Sequence, residues 1–323
     1  MTDFRARTVA GLNDLLTCGD RDLTTHAAAI LSDAVDWHGM APVEDLHGRD
    51  AVLDGMFRPL RRALAAPRFR DEIVIGGDNR REIGGRWVAT VTHVVGTHVG
   101  SLWGVAPSDR LAFLRMGAFY RINGDGRIDR AHVIADLPDL MRQAGRDPYG
   151  VTLGTEVTFP GPATHDGVCP DQASGAGSLD LVERMLGDLH VYDPETFGSA
   201  GQTGEDGTWA DDMLWYGPAG IGSNYRWDGF VKDHRAPFVT AFPDRKGGDH
   251  YCRIGDGSYA AVSGWPSMTM THRGDYLGVA ATGLPLTLRV MDFYRCADGR
   301  IAENWVMLDY VDLFRQMGRD ILR

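Results

Sequence analysis

Three polar side chains near the C-terminal end of the chain, His272, Arg289 and Asn304, have types suited to proton transfer. A histidine accepts or donates a proton near neutral pH, and an arginine and an amide can hold the oxygen of a developing enolate. Together they could promote ring closure of a carbonyl compound. The alternative is structural: His272 hydrogen bonds to the backbone or to a loop, and Arg289 pairs with a carboxylate such as Asp275 or Asp292.

Nearby carboxylates are further candidates for the acid or base. Asp275 follows His272 and would act if its loop folds over the pocket mouth, although turn aspartates are equally often solvated. Glu303 adjoins Asn304 on the last predicted strand. Asp309 ends that strand but also opens a helix, a position where Asp commonly accepts hydrogen bonds from free backbone N–H groups. The pattern therefore favours capping for Asp309.

Alternating apolar residues predict the strands that position these groups. Strands are expected over 286–294 and 300–308, joined by the turn at 296–299, and the proline of Trp265-Pro266 suggests a bulge or a sheet edge. With a simple hairpin, Asn304 lies opposite Met291. One face then carries Met270, His272, Thr287, Arg289, Met291, Phe293, Asn304, Val306 and Leu308. Asp292 and Glu303 fall on the other face, and a one-residue slip would exchange the two sets.

Aromatic and apolar residues of the same region are candidates for the walls of a substrate pocket. The predicted substrate-binding residues are Trp215, Tyr216, Trp265, Tyr276, Thr287, Met291 and Val306. The alternative is that the aromatic rings pack a core.

The most informative feature of the chain is an internal repeat. Residues 115–147 and 289–320 share the pattern FYR, a turn with Gly-Arg, and a final RQxGRD, and the match extends upstream to THVGSLWGVA and THRGDYLGVA. We predict two fused copies of one domain, 1–150 and 178–323, with a linker over 151–177 that is rich in Pro, Gly, Thr and Ser. Each copy begins with a helical pattern, continues as an antiparallel meander and ends in a short helix. This order predicts an α+β fold with helices on one face of a curved sheet.

The first copy has diverged in its polar residues. The equivalents of the candidate site residues are His98, Arg115, His132 and Asp136. Thr287 becomes Phe113 and Asn304 becomes Ala131, so the second copy is expected to be the active one. We also expect the apolar outer sheet faces of the two copies to bury each other, so that the chain forms an intramolecular pseudo-dimer. Further homo-oligomerisation stays open.

Composition excludes several classes of function. The 323 residues carry 33 basic and 44 acidic side chains, a net charge of −11 that disfavours nucleic acid and anionic membranes as partners. The four cysteines form no CxxC pair, and both lysines lie in polar stretches, which argues against a metal site and Schiff-base chemistry. Nucleotide-binding, serine-hydrolase and zinc-protease motifs are absent. We expect a cytoplasmic protein that acts on a small molecule without a cofactor or metal.

Several strings resemble a known family. HRGDYLGVAATG at 272–283, AFPD at 241–244, WYGP at 215–218 and the ending GRIAENWVMLD are similar to the SnoaL-like polyketide cyclases, also called ester cyclases. The resemblance covers nearly all of the second copy and most of the first. It implies a cone-shaped α+β barrel of the nuclear-transport-factor-like type, with an apolar pocket and cofactor-free acid/base aldol closure. The family's last-strand carboxylate or histidine has no clear counterpart in Glu303-Asn304-Trp305 or in Arg130-Ala131-His132.

Three functions remain open at this stage. The first is a cofactor-independent lyase, isomerase or cyclase acting on a small apolar or aromatic carbonyl compound. The second is a hydrolase or dehydratase that uses the same pocket with an activated water. The third is a non-catalytic module that binds a small molecule and leaves it unchanged.

Overall fold

The structure, a computed structural model, describes residues 3–156, 158–171, 175–189 and 191–323. Parts of the predicted linker over 151–177, namely 157 and 172–174, lie outside the described residues.

The first half of the chain forms one sheet with helices. Its helices are α1 (Phe4–Thr17), α2 (Leu23–Ile30), α3 (Arg49–Val52), α4 (Arg58–Ala63) and α5 (Leu137–Gln143), with a π-helical turn at Leu53–Phe57. Its strands are β1 (Leu31–Gly39), β2 (Asp45–His47), β3 (Leu64–Asp78), β4 (Arg86–His98), β5 (Leu111–Ile122) and β6 (Ile128–Ala135). They are ordered β2-β1-β6-β5-β4-β3.

The second half has the same plan. Its helices are α6 (Gly175–Leu189), α7 (Arg226–Phe230), α8 (Ala236–Ala241) and α9 (Tyr310–Gln316), with a π-helical turn at Val231–Arg235. Its strands are β7 (Trp209–Tyr216), β8 (Ser223–Tyr225), β9 (Lys246–Gly247), β10 (His250–Asp256), β11 (Tyr259–Thr271), β12 (Pro285–Ala297) and β13 (Arg300–Leu308). Their order β8-β7-β13-β12-β11-β10 repeats that of the first sheet, with β9 added beside β11.

The predicted α+β class is confirmed, but two details of the expected sheet are wrong. The long strands form the predicted antiparallel meander, whereas β1 runs parallel to β6 and β7 parallel to β13, so each sheet is mixed. Parallel pairing is possible because each of these pairs is joined through the rest of its half rather than by a tight turn. Within the described residues both sheets are open, with separate edge strands, and neither closes into a barrel.

The short helices that end the two halves begin and end as their sequences indicate. The Asp136 carboxylate accepts a hydrogen bond from the Asp139 N–H at 3.0 Å, and Asp309 accepts one from Asp312 N–H at 3.1 Å. Both helices end before a glycine with positive φ, as at Gly318 (φ 84°). The capping predicted for Asp309 is therefore present.

A bulge sets the register of the last hairpin. Asp298 and Gly299 have φ of 50° and 73° and form a tight two-residue turn. The pairing shifts just beyond the turn, where β13 carries one unpaired residue. Asn304 therefore lies opposite Tyr294, not opposite Met291 as a simple hairpin predicts.

The register differs from the predicted one by three residues, and an odd shift exchanges the faces of a strand. The predicted inward set on β12 (Thr287, Arg289, Met291 and Phe293) therefore turns away from the helices of its own half. The alternate residues Leu288, Val290, Asp292 and Tyr294 turn inward with Asn304, Val306 and Leu308. The prediction for β13 was right, and that for β12 was wrong. The expected bulge at Trp265-Pro266 is present as a register shift between Gly264 and Met268.

The two halves contact each other through equivalent residues. The Ala41 N–H of the first half donates to Asp309 Oδ2 at 3.1 Å, and the Ala219 N–H of the second half donates to Asp136 Oδ2 at 3.0 Å. Asp136 and Asp309 occupy the same position in the repeat. Reciprocal contacts of this kind are those that an isologous dimer makes.

Apolar residues fill the space between the two sheets. The rings of Phe119 and Phe293, which are equivalent in the repeat, lie 5.4 Å apart. Met291 and Met307 of the second sheet pack against Gly117 of the first, where a Cβ atom would lie 2.8 Å from Met307 Cγ. The outer sheet face of the second half is thus buried against the first half.

Candidate functional site

The second half encloses a cavity between the inner face of its sheet and the helices that cover it. The cavity measures about 190 Å³. Its walls are mainly apolar and aromatic, and include Met185, Leu189, Trp209, Trp215, Phe230, Phe238, Met268, Leu288, Val290, Val306 and Leu308. A cavity of this composition suits a small, flat and mostly apolar ligand.

One carboxyl group, that of Asp292, lies among these apolar walls. Strand β12 places it between the neighbouring strands, opposite Val262 on β11 and Val306 on β13. Burial raises its pKa to about 7, although hydrogen bonds from Asn304 and Tyr294 favour the charged form. At neutral pH the group is divided between acid and base, as proton transfer requires.

A neutral imidazole shares the cavity with this carboxyl group. His234 comes from the π-helical turn Val231–Arg235, and its ring stacks on Trp215 at 4.4 Å. Burial, together with the nearby Arg235 and Arg245 guanidinium groups, lowers the pKa of His234 to about 3. Its buried Nδ1 has no hydrogen-bond partner among the described residues. The ring can therefore offer a hydrogen bond to a ligand without carrying charge.

The mouth of the cavity is basic. Arg245 and Lys246 lie at the start of the short strand β9, and His250 and Arg253 lie on β10. Arg253 donates to His250 Nδ1 at 3.1 Å and pairs with Glu183 at 3.1 Å. The cavity thus has a weakly acidic floor and a cationic entrance.

Three of the residues predicted from sequence line this cavity: Asn304, Val306 and Trp215. Asn304 also donates to the Phe293 carbonyl at 3.0 Å, which holds its amide in place beside Asp292.

A second group of predicted residues lies in and near the loop after β11, away from the cavity lining. His272 is fully buried, its Nδ1 contacts Thr282 Oγ1 at 3.1 Å, and its ring packs on Phe242. Asp275 is exposed and accepts a hydrogen bond from a loop amide at 3.2 Å. The Tyr276 hydroxyl meets that of Tyr310 at 2.5 Å in the core. These contacts match the structural alternative for His272.

A third group of predicted residues lies on the sheet face that meets the first half. Arg289 pairs with Asp309 at 3.0 Å and with Glu44 of the first half at 3.5 Å, and it stacks on Trp265. Glu303 is buried and pairs with Arg295.

The remaining members of this group are also placed by structural contacts. Tyr216 donates its hydroxyl to Glu303 at 3.2 Å, and the exposed Thr287 donates its N–H to Gln316. Met291 belongs to the packing between the sheets. None of these predicted residues lies among the residues that line the cavity.

None of the first-half candidates lines the cavity of the second half. His98 is fully buried in the core, and His132 stacks on Tyr251 of the second half at 3.8 Å. Arg115 pairs with Asp136 at 3.5 Å and with Asp139 at 3.2 Å. Arg115 also borders an open cleft, which is lined in part by Phe159 of the linker.

Sequence reasoning missed Asp292 and His234. The register of a simple hairpin puts Asp292 on the outer face, because the bulge beyond the last turn has no clear sequence signal. The Phe-Tyr-Arg motif, which occurs in both copies, aligns Asp292 with Ala118. The acidic residue in place of an apolar one is a usable sequence signal. His234 lies in a helical segment without periodicity, and only the packing of that segment over the sheet places it.

No group of three or more His, Cys, Asp and Glu side chains is arranged to hold a metal ion in the described part of the chain. No helix among the same residues is long and apolar enough to cross a membrane.

Comparison with known proteins finds a similarity to one family within the second half. Residues 206–317 match the sequence model of the SnoaL-like polyketide cyclases. No curated protein matches the chain.

Solved structures give weaker similarities. A candidate SnoaL-like polyketide cyclase from Jannaschia sp. CCS1 is 15% identical, with a TM-score of 0.35, and the match covers 43% of this chain and 89% of that protein. A candidate isomerase from Rhodopseudomonas palustris is 23% identical, with a TM-score of 0.35 and coverage of 45% and 100%. An NTF2-like protein of unknown function from Burkholderia pseudomallei K96243 is 17% identical, with a TM-score of 0.34 and coverage of 45% and 100%. These scores are too low to transfer a function.

The family match spans β7 to α9, the part of the chain that builds most of the cavity walls and carries Asp292, His234 and Asn304. This part of the chain is therefore similar to the SnoaL-like polyketide cyclases.

Proposed function

We propose that the second half is a cofactor-independent acid/base enzyme that acts on a small apolar or aromatic carbonyl compound. The observation that carries the proposal is the position of Asp292, a carboxyl group with a pKa raised to about 7 in a largely apolar cavity. Groups with pKa values close to the working pH are the most effective in proton transfer. The polyketide cyclase description of the matching family supports the same class of reaction.

In this proposal Asp292 takes the role that the sequence assigned to His272. The Asp292 carboxylate removes a proton from the carbon next to a carbonyl group, and the C–H electron pair forms an enolate. Asn304 and Tyr294 hold the carboxyl group in place. His234, with Nδ1 free to donate in the appropriate tautomer, holds the enolate oxygen.

Ring closure then needs no external reactant. The enolate carbon attacks a second carbonyl carbon of the same molecule, a C–C bond forms, and the new alkoxide takes its proton from the Asp292 carboxylic acid. The product has the mass of the substrate. Return of the proton to a different carbon would instead give an isomerisation, again without a change in mass.

The test compares wild type, Asp292→Asn and the matched control Asp275→Asn, which alters an exposed carboxylate outside the cavity. Each protein is incubated with a small-molecule extract of its own cells, and mass spectrometry with chromatography records which species change. We expect wild type and Asp275→Asn to convert a species into an isomer of equal mass, and Asp292→Asn to lose at least about 100-fold in rate.

Other outcomes contradict the proposal in different ways. A product that differs by one water would assign the cavity to a hydratase, dehydratase or hydrolase. A species retained unchanged by all three proteins would show a binding module.

A second assay follows proton transfer directly and needs no natural substrate. An aryl ketone is dissolved in D₂O, and NMR records the exchange of its α-protons with and without protein. Exchange at equal rates with wild type and Asp292→Asn would remove Asp292 from the mechanism.

A further inference from the structure

Positive charge accumulates at the mouth of the cavity without a carboxylate to balance it. Neither Arg245 nor Lys246 has a carboxylate within ion-pair distance among the described residues. The Arg245 guanidinium lies over the ring of Tyr192, 4.9 Å from its centre. Lys246 is exposed at the start of β9.

A third cation stands behind these two. Arg235 is buried, and its guanidinium lies 5.7 Å from the centre of the same Tyr192 ring. Its hydrogen bonds go to neutral oxygens, namely the Leu189 carbonyl at 3.2 Å, the Phe197 carbonyl at 2.5 Å and Ser199 Oγ at 2.5 Å. Burial and the charge of Arg245 lower the pKa of Arg235 to about 10, still far above neutral pH. Two guanidinium groups therefore lie on one aromatic ring, and Lys246 lines the cavity next to Arg245 in the chain.

This concentration of charge is opposite in sign to the chain as a whole, which carries a net charge of −11. Elsewhere in the described structure arginines are commonly paired with carboxylates, as Arg253 is with Glu183 on the adjacent wall. Like charges held close together cost free energy, and a ligand anion would offset that cost.

The floor of the same cavity excludes an anion. Asp292 is negatively charged in the form that acts as a base, and the apolar walls around it place no cation beside it to balance a second negative charge. A ligand that carries both a reactive carbonyl group and an anionic group therefore fits the floor and the mouth of the cavity in only one orientation. The carbonyl part lies on the floor, and the anionic group lies at the mouth.

We infer that the substrate is an aromatic or apolar carbonyl compound that carries a carboxylate, and that Arg245 and Lys246 bind this carboxylate at the cavity mouth. The inference rests on the proposed function for the position of the reactive carbonyl group, but the carboxylate subsite itself is tested by binding alone. In this arrangement Arg245 and Lys246 set specificity, and Asp292 performs the proton transfer.

The test uses two probe ligands of nearly equal shape, 2-naphthoate and methyl 2-naphthoate, with the full-length protein. Trp209 and Trp215 line the cavity, so tryptophan fluorescence reports its occupancy. We expect wild type at low salt to bind the carboxylate more tightly than the ester by about tenfold. Arg245→Ala and Lys246→Ala should each reduce this preference by about threefold and leave the affinity for the ester unchanged.

Lys232→Ala is the matched control, since Lys232 is the other lysine of the chain, exposed and outside the cavity lining. It should keep the full preference for the carboxylate. Equal or tighter binding of the ester, no binding of either probe, or a preference that survives both Arg245→Ala and Lys246→Ala would each overturn the inference.

Asp292→Asn separates this inference from the proposed function. The substitution should abolish exchange of α-protons and leave the preference for 2-naphthoate intact. If exchange survives while the preference depends on Arg245 and Lys246, the proposed function fails and the carboxylate subsite stands. If the preference depends on Asp292 and not on the two cations, the carboxylate lies on the floor and the inference is wrong.

Discussion

The two halves of this chain have one topology and differ in what lies inside each sheet. In the second half the sheet and helices enclose a cavity of about 190 Å³, whereas the first-half residues equivalent to its lining, among them Trp37, Met56 and Ala118, are buried in the hydrophobic core. Apolar side chains fill the space in the first half, among them Met56, Phe57 and Trp37. The rings of Trp37 and Phe57 pack edge to face. One fold therefore holds either a core or a pocket.

The difference is concentrated at three equivalent positions. Asp292 and Asn304 of the second half correspond to Ala118 and Ala131 of the first, as the repeat and the strand pairing show. The π-helical turns align His234 with Met56. Asp292, Asn304 and His234 are thus each replaced by an apolar residue in the first half. A buried polar group is costly unless it has partners or access to a ligand, so a pocket that closes loses its polar residues.

The comparison is tested most strongly by placing the acidic group in the closed half. Ala118→Asp puts a carboxyl group at a fully buried position without the amide that Asn304 supplies in the second half. We expect a loss of about 3 kcal/mol in the free energy of unfolding at pH 7, measured by urea denaturation. Ala280→Asp, at an exposed loop position, is the control and should change stability little. An unchanged midpoint for Ala118→Asp would mean that the first half is open.

Removal of the Asp292 carboxyl group from the second half should instead stabilise the protein at neutral pH. The pKa of Asp292 is about 7 in the folded protein against an ordinary value of 3.8, so its contribution to stability is fully present below pH 3.8 and is lost as the pH rises through 7. Asp292→Asn lacks this loss. Relative to wild type it should gain about 2–3 kcal/mol between pH 5 and pH 8 in urea denaturation.

The control for this pH dependence is Asp275→Asn, which should follow wild type at both pH values. A difference between wild type and Asp292→Asn that does not change with pH would contradict the raised pKa.

Asn304→Ala gives the second half the residue of the first half at Ala131. Because Asn304 stabilises the charged form of Asp292, its removal should raise the pKa of that carboxyl group by up to about one unit. In wild type the rate of α-proton exchange is expected to rise with pH through about 7. In Asn304→Ala the midpoint of this rise should move to higher pH. At pH 7 the rate should fall by up to about fivefold, because a smaller fraction of the carboxyl group is ionised. An unshifted profile would separate Asn304 from Asp292.

His234→Met introduces the residue that the first half has at this position. The imidazole is neutral, so its loss removes one hydrogen bond to the enolate oxygen and no charge. We expect a two- to fivefold lower rate of exchange, about 0.5–1 kcal/mol, with an unchanged pH profile. His47→Met, at a solvent-exposed ring, is the control. A shifted profile would indicate that His234 acts on Asp292 and not on the ligand.

A large part of this architecture could be predicted from sequence. Helix-capping aspartates, tight glycine turns and alternating strands depend on neighbours close in the chain, and Asp309, Gly318 and the meander all appear where expected. Of the predicted site residues, Asn304, Val306 and Trp215 line the cavity. His272 was not, because a histidine beside a glycine-rich loop has the same local sequence whether it faces a ligand or hydrogen bonds to that loop.

The sequence by itself determined that the chain contains one fold twice, that the fold is α+β, and that the second copy is the more polar. These properties follow from periodicity, turn chemistry and comparison of the repeats. Only the tertiary structure decided which side chains share the cavity. The face of β12 depends on whether the register shift is odd or even, which one bulged residue determines, and His234, Arg245 and Asp292 meet only when distant segments pack together.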